Sequence, residues 1–576
     1  MNQLYRIALR LCLALSLLYL SPTVASAQGG DSLYAVIEEL DVKVELRDGI
    51  RLSANIFRPE AEGKFPALLM RSPYGNGGAG NGTGHYYASR GYTVVLQDVR
   101  GRFESEGVFN ALRNEGQDGY DTQMWVAEQP WCNGRIGTIG GSYVGYTQWI
   151  AAPEGSPHLQ AMFPVVGFGD QHDMTYSGGA FRVRLFSAWS HEMTQPSMIS
   201  QEHIAATRDQ VLRSLPMLGQ DKVLGWRVPF LRDWMSHPAR DIYWKPMSVY
   251  GRYDKITAAA CNVGGWFDIC LQGTLDNFVG MTSGTVPQDV RAKQKLIVGP
   301  WIHGVSRGAK VGELDFGEQS VLKIRDIERS WFDYHLKDEQ GGIADEPPVK
   351  IFVMGANQWR FENEWPLART RYVNYYLGGE GRANTLNGDG TVTLQPAKNS
   401  PPDVFVYDPA SPVPSAPMEP TDQREIESRE DVLVYTSAPL KKALEVTGPL
   451  KVILHAASTA KNTDFTAKLV DVHPDGQAFK VADGIIRASF RDGQTDPKNI
   501  VPEQINKYEI DLWATSNLFK KGHCLRVEIS SSSFPRFGRN LNTGNAPATD
   551  TTWVKATQTI HHSSEHPSYI VLPVID

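Results

Sequence analysis

Between Asp41 and Phe57 polar and apolar positions alternate, "DVKVELRDGIRLSANIF", around the dipeptide Asp48-Gly49. Period-two alternation on both sides of a turn signal predicts a β-hairpin. The pattern then changes to short unbroken apolar runs at Ala67–Met70, Thr93–Leu96 and Ile136–Ile139, with helical character over Asp118–Glu128. Short buried strands alternating with helices predict a parallel sheet covered on both faces. From about 169 to 250 this rhythm gives way to segments rich in Met, Phe, Trp, His and Arg, with helices such as Gln201–Leu215, as an inserted helical cap would show. Apolar runs return at Ala258–Val263 and Lys295–Val298, and "RDIERSWFDYHLKD" (Arg325–Asp338) has the spacing of a closing amphipathic helix.

After Pro347 the character is β. Alternating segments such as "VKIFVMG", "LKVILHAAS", "DFTAKLVDV" and "CLRVEISSS" follow one another across turn-rich stretches without helices between them, which predicts a sandwich or jelly roll. The expected organisation is an α/β sheet domain in two parts, 32–168 and 251–346, a helical cap at 169–250, and an all-β domain at 347–576. A chain of 576 residues exceeds what one core can serve, in keeping with several domains.

Composition changes the picture in three places. Net charge is −7 with dispersed basic residues, which argues against a nucleic-acid partner. At the N-terminus Arg6 and Arg10 precede an apolar run, Leu11–Leu20, and Ala25-Ser26-Ala27 offers small residues for cleavage after Ala27. This reads as a signal peptide over 1–27 and predicts a periplasmic or extracellular protein. The run is about half of the roughly 20 residues that span a bilayer, so stable membrane insertion is not expected. Beyond that segment stand Cys132, Cys261, Cys270 and Cys524, with no C-x-x-C pair, so no metal site is expected; Cys261 and Cys270 could pair only if the chain doubles back.

Candidate chemistry centres on "IGTIGGSYVGYTQW", residues 136–149. A nucleophile elbow needs small residues around its serine, because a strand-to-helix turn crowds the backbone. Gly140 and Gly141 supply one side of Ser142, but Val144 stands where a second glycine is usual and Gly145 comes one later. Alone, the motif fits a glycine-rich turn equally well, and it lacks the G-x-G-x-x-G pattern of a dinucleotide site. A serine nucleophile needs a base and an orienting carboxylate, in chain order serine, acid, histidine for an α/β-hydrolase. "CNVGGWFDIC" sets Asp268 just past one predicted strand, and "LIVGPWIHG" sets His303 just past another, at carboxyl ends where such sheets present ligand-facing residues.

"GGSYVG", "GGWFD" and "GPWIHG", in that order, resemble the Xaa-Pro dipeptidyl-peptidase and cocaine esterase family of α/β-hydrolases. So do "RSPYGNGG" (71–78), "QDVRGRFESEG" (97–107) and "WCNGRIG" (131–137), while "DFTAKLVDVHPDGQ" and "SSSFPRFGRNLNTG" are similar to the family's C-terminal jelly roll, a galactose-binding-like domain. The resemblance covers nearly all of the chain past the leader. It implies Ser142 as nucleophile, His303 as base and Asp268 as orienting acid, without metal or cofactor. It also implies an oxyanion hole built from the Tyr143 backbone N–H and the Tyr74 hydroxyl. "MTYSGGAFRVRLFSAW" (174–189) is similar to an acyl-pocket region, so Tyr176 and Trp189 either touch substrate or pack in the core. Trp266, Phe267 and Trp301 wall the pocket or pack beneath it, and Asp98, Arg100 and Arg102 are expected to bind a loop at the sheet edge.

The family leaves the substrate open among simple esters, N-terminal Xaa-Pro dipeptides, and α-amino esters or β-lactam side chains. A buried substrate ammonium needs acidic partners. Where α-amino-acid ester hydrolases carry two carboxylates after the catalytic aspartate, this chain has Cys270 and Leu271, although Asp170, Asp173 and Glu192 could supply charge from the cap. The expectation is a secreted carboxylic ester hydrolase acting on a small ester, amide or short peptide, monomeric or homo-oligomeric. The alternatives are an Xaa-Pro dipeptidyl-peptidase, an α-amino-acid ester hydrolase or acylase, and, in another class, an inert protein that binds through its jelly roll.

Overall fold

Ten strands make one twisted sheet in a computed structural model that describes residues 34–195 and 200–576; the expected signal peptide lies outside the described residues. The strands are β1 (Val36–Glu45), β2 (Arg51–Pro59), β3 (Phe65–Ser72), β4 (Thr93–Asp98), β5 (Cys132–Gly141), β6 (Leu159–Val165), β7 (Ala259–Gly265), β8 (Lys295–Gly299), β9 (Val349–Val353) and β10 (Gln358–Glu362). Their order is β1-β2-β4-β3-β5-β6-β7-β8-β9-β10. Pairing is parallel from β4 through to β9 and antiparallel at both margins. The hairpin expected at Asp41–Phe57 is β1–β2, turned at Gly49 with φ +81°. Strands β4, β7 and β8 are buried at every residue, as unbroken apolar runs in the middle of a parallel sheet should be.

The closing helix spans Ile324–Lys337 and buries Trp331, Phe332 and Leu336 against one face. Gly137 of β5 admits that helix, since a Cβ there would stand 2.5 Å from the Phe332 ring. Between β6 and β7 lies the cap, with helices Val183–Thr194, Gln201–Arg213 and Pro229–Ser236. Its aromatic residues join the side chains over the carboxyl edge of the sheet in one apolar cluster, including Tyr143, Tyr146, Phe168, Phe230 and Trp234. Among the described residues no helix is long and apolar enough to cross a membrane. Cys261 and Cys270 are free and belong to different apolar clusters, one under the sheet and one beneath the cap.

An eleven-stranded array from Arg371 to Ile575 forms the all-β body. Its longest strand, Leu444–Ser458, pairs with both Asn506–Phe519 and Tyr569–Ile575. Leu450, Val452, Leu454 and Ala456 alternate into one core with Tyr508, Ile510 and Leu512, the period-two burial expected of a jelly roll. One boundary differs from the sequence expectation. The sequence pattern places "VKIFVMG" in this body, yet Val349–Val353 is β9, parallel to β8 with Leu296 opposite Val349. A five-residue apolar strand declares its conformation but not its sheet, and β9 is drawn in because it covers an otherwise open edge of β8. The two bodies share a core: Trp513 and Ala514 of the jelly roll pack with Trp266, Phe267, Leu271 and Leu275 of the first.

Candidate active site

Ser142 occupies the turn between β5 and the helix Tyr143–Ala151, with φ 59° and ψ −121°. A residue with a Cβ is strained there, and the surrounding backbone has to hold it. Ser142 N donates to Val165 O at 2.9 Å, tying the turn to the next strand. Gly140, at φ +121°, leaves space that Val144 fills, for a Cβ at position 140 would lie 2.3 Å from Val144 Cγ1. This explains the valine in place of the usual second glycine. The close approach falls instead at Gly145, where an added Cβ would come within 2.9 Å of Gly167 Cα. The motif's unusual spacing is therefore a shifted packing contact.

Asp268 and His303 leave the ends of β7 and β8, which are in register with Gly265 opposite Gly299. The two loops are stitched together. Trp266 N donates to Gly299 O at 2.9 Å and Phe267 N to Trp301 O at 3.0 Å. Gly265 allows this, because a Cβ there would meet Trp301 O at 2.2 Å. Across the join His303 Nδ1 lies 2.6 Å from Asp268 Oδ2, and His303 Nε2 lies 2.9 Å from Ser142 Oγ. Asp268 is fully buried and its other oxygen accepts from Cys270 N at 2.7 Å. A carboxylate only accepts, so Nδ1 carries the imidazole proton, and Nε2 is left to accept from the serine hydroxyl. The arrangement can thus draw a proton from Ser142 while Asp268 holds the ring's tautomer and orientation.

Tyr143 follows the serine as the first residue of the helix, and its side chain is fixed on both sides. Its hydroxyl donates to Glu115 Oε1 at 2.7 Å and accepts from Leu112 N at 2.9 Å. Burial raises the Glu115 carboxyl above its ordinary value, and Arg71, at 2.9 Å from Glu115 Oε2, opposes the rise. Tyr74 stands edge-on to the Tyr143 ring, with centroids 6.3 Å apart. Trp189 stacks on Tyr143 at 5.9 Å and its indole N–H donates to the Tyr74 hydroxyl oxygen at 3.1 Å. Because an indole can only donate, the phenol oxygen is the acceptor and its own proton points elsewhere. Arg102 braces the loop carrying Tyr74, donating to Pro73 O at 2.9 Å and to the Met193 carbonyl at the end of a cap helix.

The other expected residues divide. Trp189 joins Ser142's neighbours, as described. Tyr176 is buried, with its hydroxyl donating to Trp234 O at 2.8 Å and its ring against His172, so it packs within the cap. Phe267 packs on Phe316, and Trp301 donates from its indole to Ser320 O at 3.0 Å; both lie beneath the carboxyl edge rather than beside Trp189. Arg100 bridges Asp118 and Asp48, the loop-binding role expected for it. In the cap, Arg240 pairs with both Asp170 and Asp173. Glu192 lines a small cavity with Ile204, Arg208 and Val211, and burial lifts its carboxyl to about 7. Glu115 and Arg71 were not foreseen; an isolated glutamate in "RNEGQDG" carries no signal of its distant tyrosine partner.

The chain is similar to known proteins over nearly its whole length. Residues 48–305 match the X-Pro dipeptidyl-peptidase family (S15 family) and residues 341–571 match the X-Pro dipeptidyl-peptidase C-terminal non-catalytic domain. The chain is 36% identical to a cocaine esterase from Rhodococcus sp. (strain MB1 Bresler) over 580 residues, covering 95% of this chain and 99% of that one. Among solved structures, an α-amino acid ester hydrolase superimposes with a TM-score of 0.81 at 26% identity, covering 96% of this chain and 100% of the other. An aminopeptidase from the marine sediment archaeon Thaumarchaeota archaeon matches with a TM-score of 0.81 at 25% identity, covering 96% and 99%.

The Tyr143 anchors make a stability prediction. Tyr143→Phe strips the partner from both buried Glu115 Oε1 and Leu112 N–H, each of which costs about 1–3 kcal/mol when left unsatisfied. Urea unfolding should show a loss in that range or above it, while the backbone N–H of residue 143 remains in place.

Proposed function

The chain belongs to the X-Pro dipeptidyl-peptidase (S15) family of serine hydrolases, and from that premise we propose that it is an exported carboxylic ester hydrolase acting through an acyl-enzyme. The observation that carries the mechanism is the hydrogen-bonded line from Ser142 through His303 to Asp268, at 2.9 and 2.6 Å. Ser142 Oγ attacks the ester carbonyl as its proton passes to His303 Nε2. The same proton then goes to the leaving alkoxide, and the acyl group stays on Ser142. Water, deprotonated by His303, attacks the acyl-enzyme and releases the acid. Asp268 remains ionised and stabilises the imidazolium at each stage. Negative charge on the carbonyl oxygen is met by the Tyr143 N–H and the Tyr74 hydroxyl, donors held before the reaction by the Glu115 and Arg102 contacts.

An acyl group without a free α-amine fits the site best. Arg240 already neutralises Asp170 and Asp173, Glu192 resists ionisation, and Cys270 and Leu271 carry no charge. None of these can meet an ammonium without giving up a partner or paying for a buried charge. The likeness to an α-amino acid ester hydrolase keeps that substrate class as the second reading. Turnover of p-nitrophenyl esters should exceed that of phenylglycine esters and Xaa-Pro anilides; a preference for either amine-bearing class would reverse the assignment. Ser142→Ala and His303→Ala should each abolish nearly all turnover, and the double variant should lose little more, because the triad acts as a unit. Multiplicative losses would mean that the two residues do not act together.

Export rests on Arg6, Arg10, the Leu11–Leu20 run and Ala25-Ser26-Ala27. N-terminal sequencing of the protein from its native host should begin at Gln28, and an intact Met1 would refute processing.

Tyr74 gives the sharpest test of the oxyanion hole. Its hydroxyl acts chiefly when charge develops on the carbonyl oxygen, so its loss belongs to the chemical step. Tyr74→Phe should cost roughly 2.7–4 kcal/mol, about a hundred- to a thousandfold in kcat, with KM much less changed. The substitution also removes the acceptor of the Trp189 indole, so thermal melting must be measured alongside. Unchanged acylation in single-turnover kinetics on an activated ester would exclude Tyr74 from the oxyanion hole.

A further inference from the structure

A second constellation lies in the jelly roll, far along the chain from Ser142 and with no part in the mechanism above. Strand Asp464–Val472 runs antiparallel to Cys524–Ser530, with Val472 opposite Cys524 and Asp471 opposite Leu525. Continuing that register by one residue sets His473 across from His523. Residues two apart on a strand share a face, so Asp471 joins the same side. The sequence pattern is thus D-x-H on one strand end and a histidine at the facing end, brought together by pairing alone. Both ends are firmly turned. His473 N donates to Gln477 O at 2.8 Å, Gly476 at φ +88° closes that hairpin, and Gly522 at φ +89° turns the chain from the strand Asn506–Phe519 into Cys524–Ser530.

The three side chains converge. His523 Nδ1 is 2.8 Å from Asp471 Oδ1, and His473 Nε2 is 3.8 Å from Asp471 Oδ2. The imidazole centroids are 4.4 Å apart, and one ligand atom from each residue falls within 4.8 Å of the others. Zinc holds nitrogen and carboxylate ligands at about 2.0–2.2 Å in a tetrahedron, which separates ligand atoms by about 3.3 Å. The two observed separations, each to a different oxygen of Asp471, lie within about 0.5 Å of that value. Asp471 and His523 are buried, whereas the His473 side chain keeps 28% exposure, which opens the cluster to solvent on that side. The geometry points to a zinc site formed by Asp471, His473 and His523, which clamps two adjacent strand ends of the jelly roll. The absence of C-x-x-C spacing could not reveal it, because these ligands come from strand pairing and include no thiolate.

The test uses untagged full-length protein, freed of metal with EDTA and titrated with zinc chloride by calorimetry and thermal melting. Asp268, Cys270 and His303 form another group close enough to take a metal, as do Asp170, His172 and Asp173. A His303→Ala variant and a His172→Ala variant therefore serve as controls. Wild type and both controls should bind one zinc ion per chain and melt at a higher temperature with it. His473→Ala and His523→Ala should lose both effects. Cobalt in place of zinc should give the strong visible absorption of a tetrahedral site in wild type and not in these two variants. His473 is part-exposed at a turn but packs on Phe479, so circular dichroism without metal verifies the fold of its variant. Absence of zinc binding by wild type, or binding unaltered in both histidine variants, would overturn the site and leave only an aspartate hydrogen-bonded to histidine.

Discussion

The backbone of Ser142 at φ 59° is the constraint on which the rest of the site depends. A serine there costs of order 1–3 kcal/mol and persists only where its surroundings over-determine it. Three kinds of contact do so. The Val165 carbonyl takes the serine N–H, Gly140 and Gly145 let the following helix close onto its neighbours, and Tyr143 is pinned to Glu115 and Leu112. Each acts on the serine's backbone or on the residues beside it rather than on its hydroxyl. The hydroxyl is thereby presented at the head of a helix while its backbone is immobile, so it needs little reorganisation before meeting His303.

Burial of charge in the cap follows a different logic from burial at the triad. Asp268 is fully enclosed, yet it accepts from both His303 and the Cys270 N–H, so its lone pairs are answered on two sides. Asp170 and Asp173 are answered by one arginine, Arg240. For Glu192, desolvation outweighs the opposing charge of Arg208. A site evolved to receive an ammonium would leave a carboxylate poorly compensated and aimed at the substrate. Here Asp170 and Asp173 are matched and burial opposes the charge on Glu192, and what faces Tyr143 is the indole of Trp189.

Local pattern made much of this legible in the sequence. The β1–β2 hairpin, the runs that became β3, β4, β5, β7 and β8, and the closing helix at Ile324–Lys337 all follow from periodicity and turn residues. Ser142, Asp268 and His303 stand out in the sequence because each lies at or shortly past a strand end, in the order serine, acid, histidine. What escaped depends on contacts between distant segments. "VKIFVMG" was readable as a strand but not as a strand of the first sheet. Glu115 is 28 residues from Tyr143, and nothing local marks their pairing. Phe267 and Trp301 look alike as aromatic residues in glycine-rich loops, and only the packing shows that they belong to two different apolar clusters. Asp471, His473 and His523 meet through a register that no single segment encodes.

The same distinction explains why a hydrolase of this design carries a second body. The loop after β7 must hold Asp268 with no room to relax, and its apolar residues Trp266 and Phe267 need cover on their far side. Trp513 supplies it from the jelly roll. Arg182 of the cap lies over the Trp513 ring at 5.0 Å and donates to Ile269 O at 3.0 Å, one residue past the acid. Burial lowers this guanidinium to about 10, which still leaves it charged at neutral pH. A charged group held between an aromatic face and a carbonyl ties cap, acid loop and jelly roll in a single contact. The C-terminal body thus contributes no group to the proton line. Its effect is to fix the backbone that carries Asp268, and through Asp268 the orientation of His303.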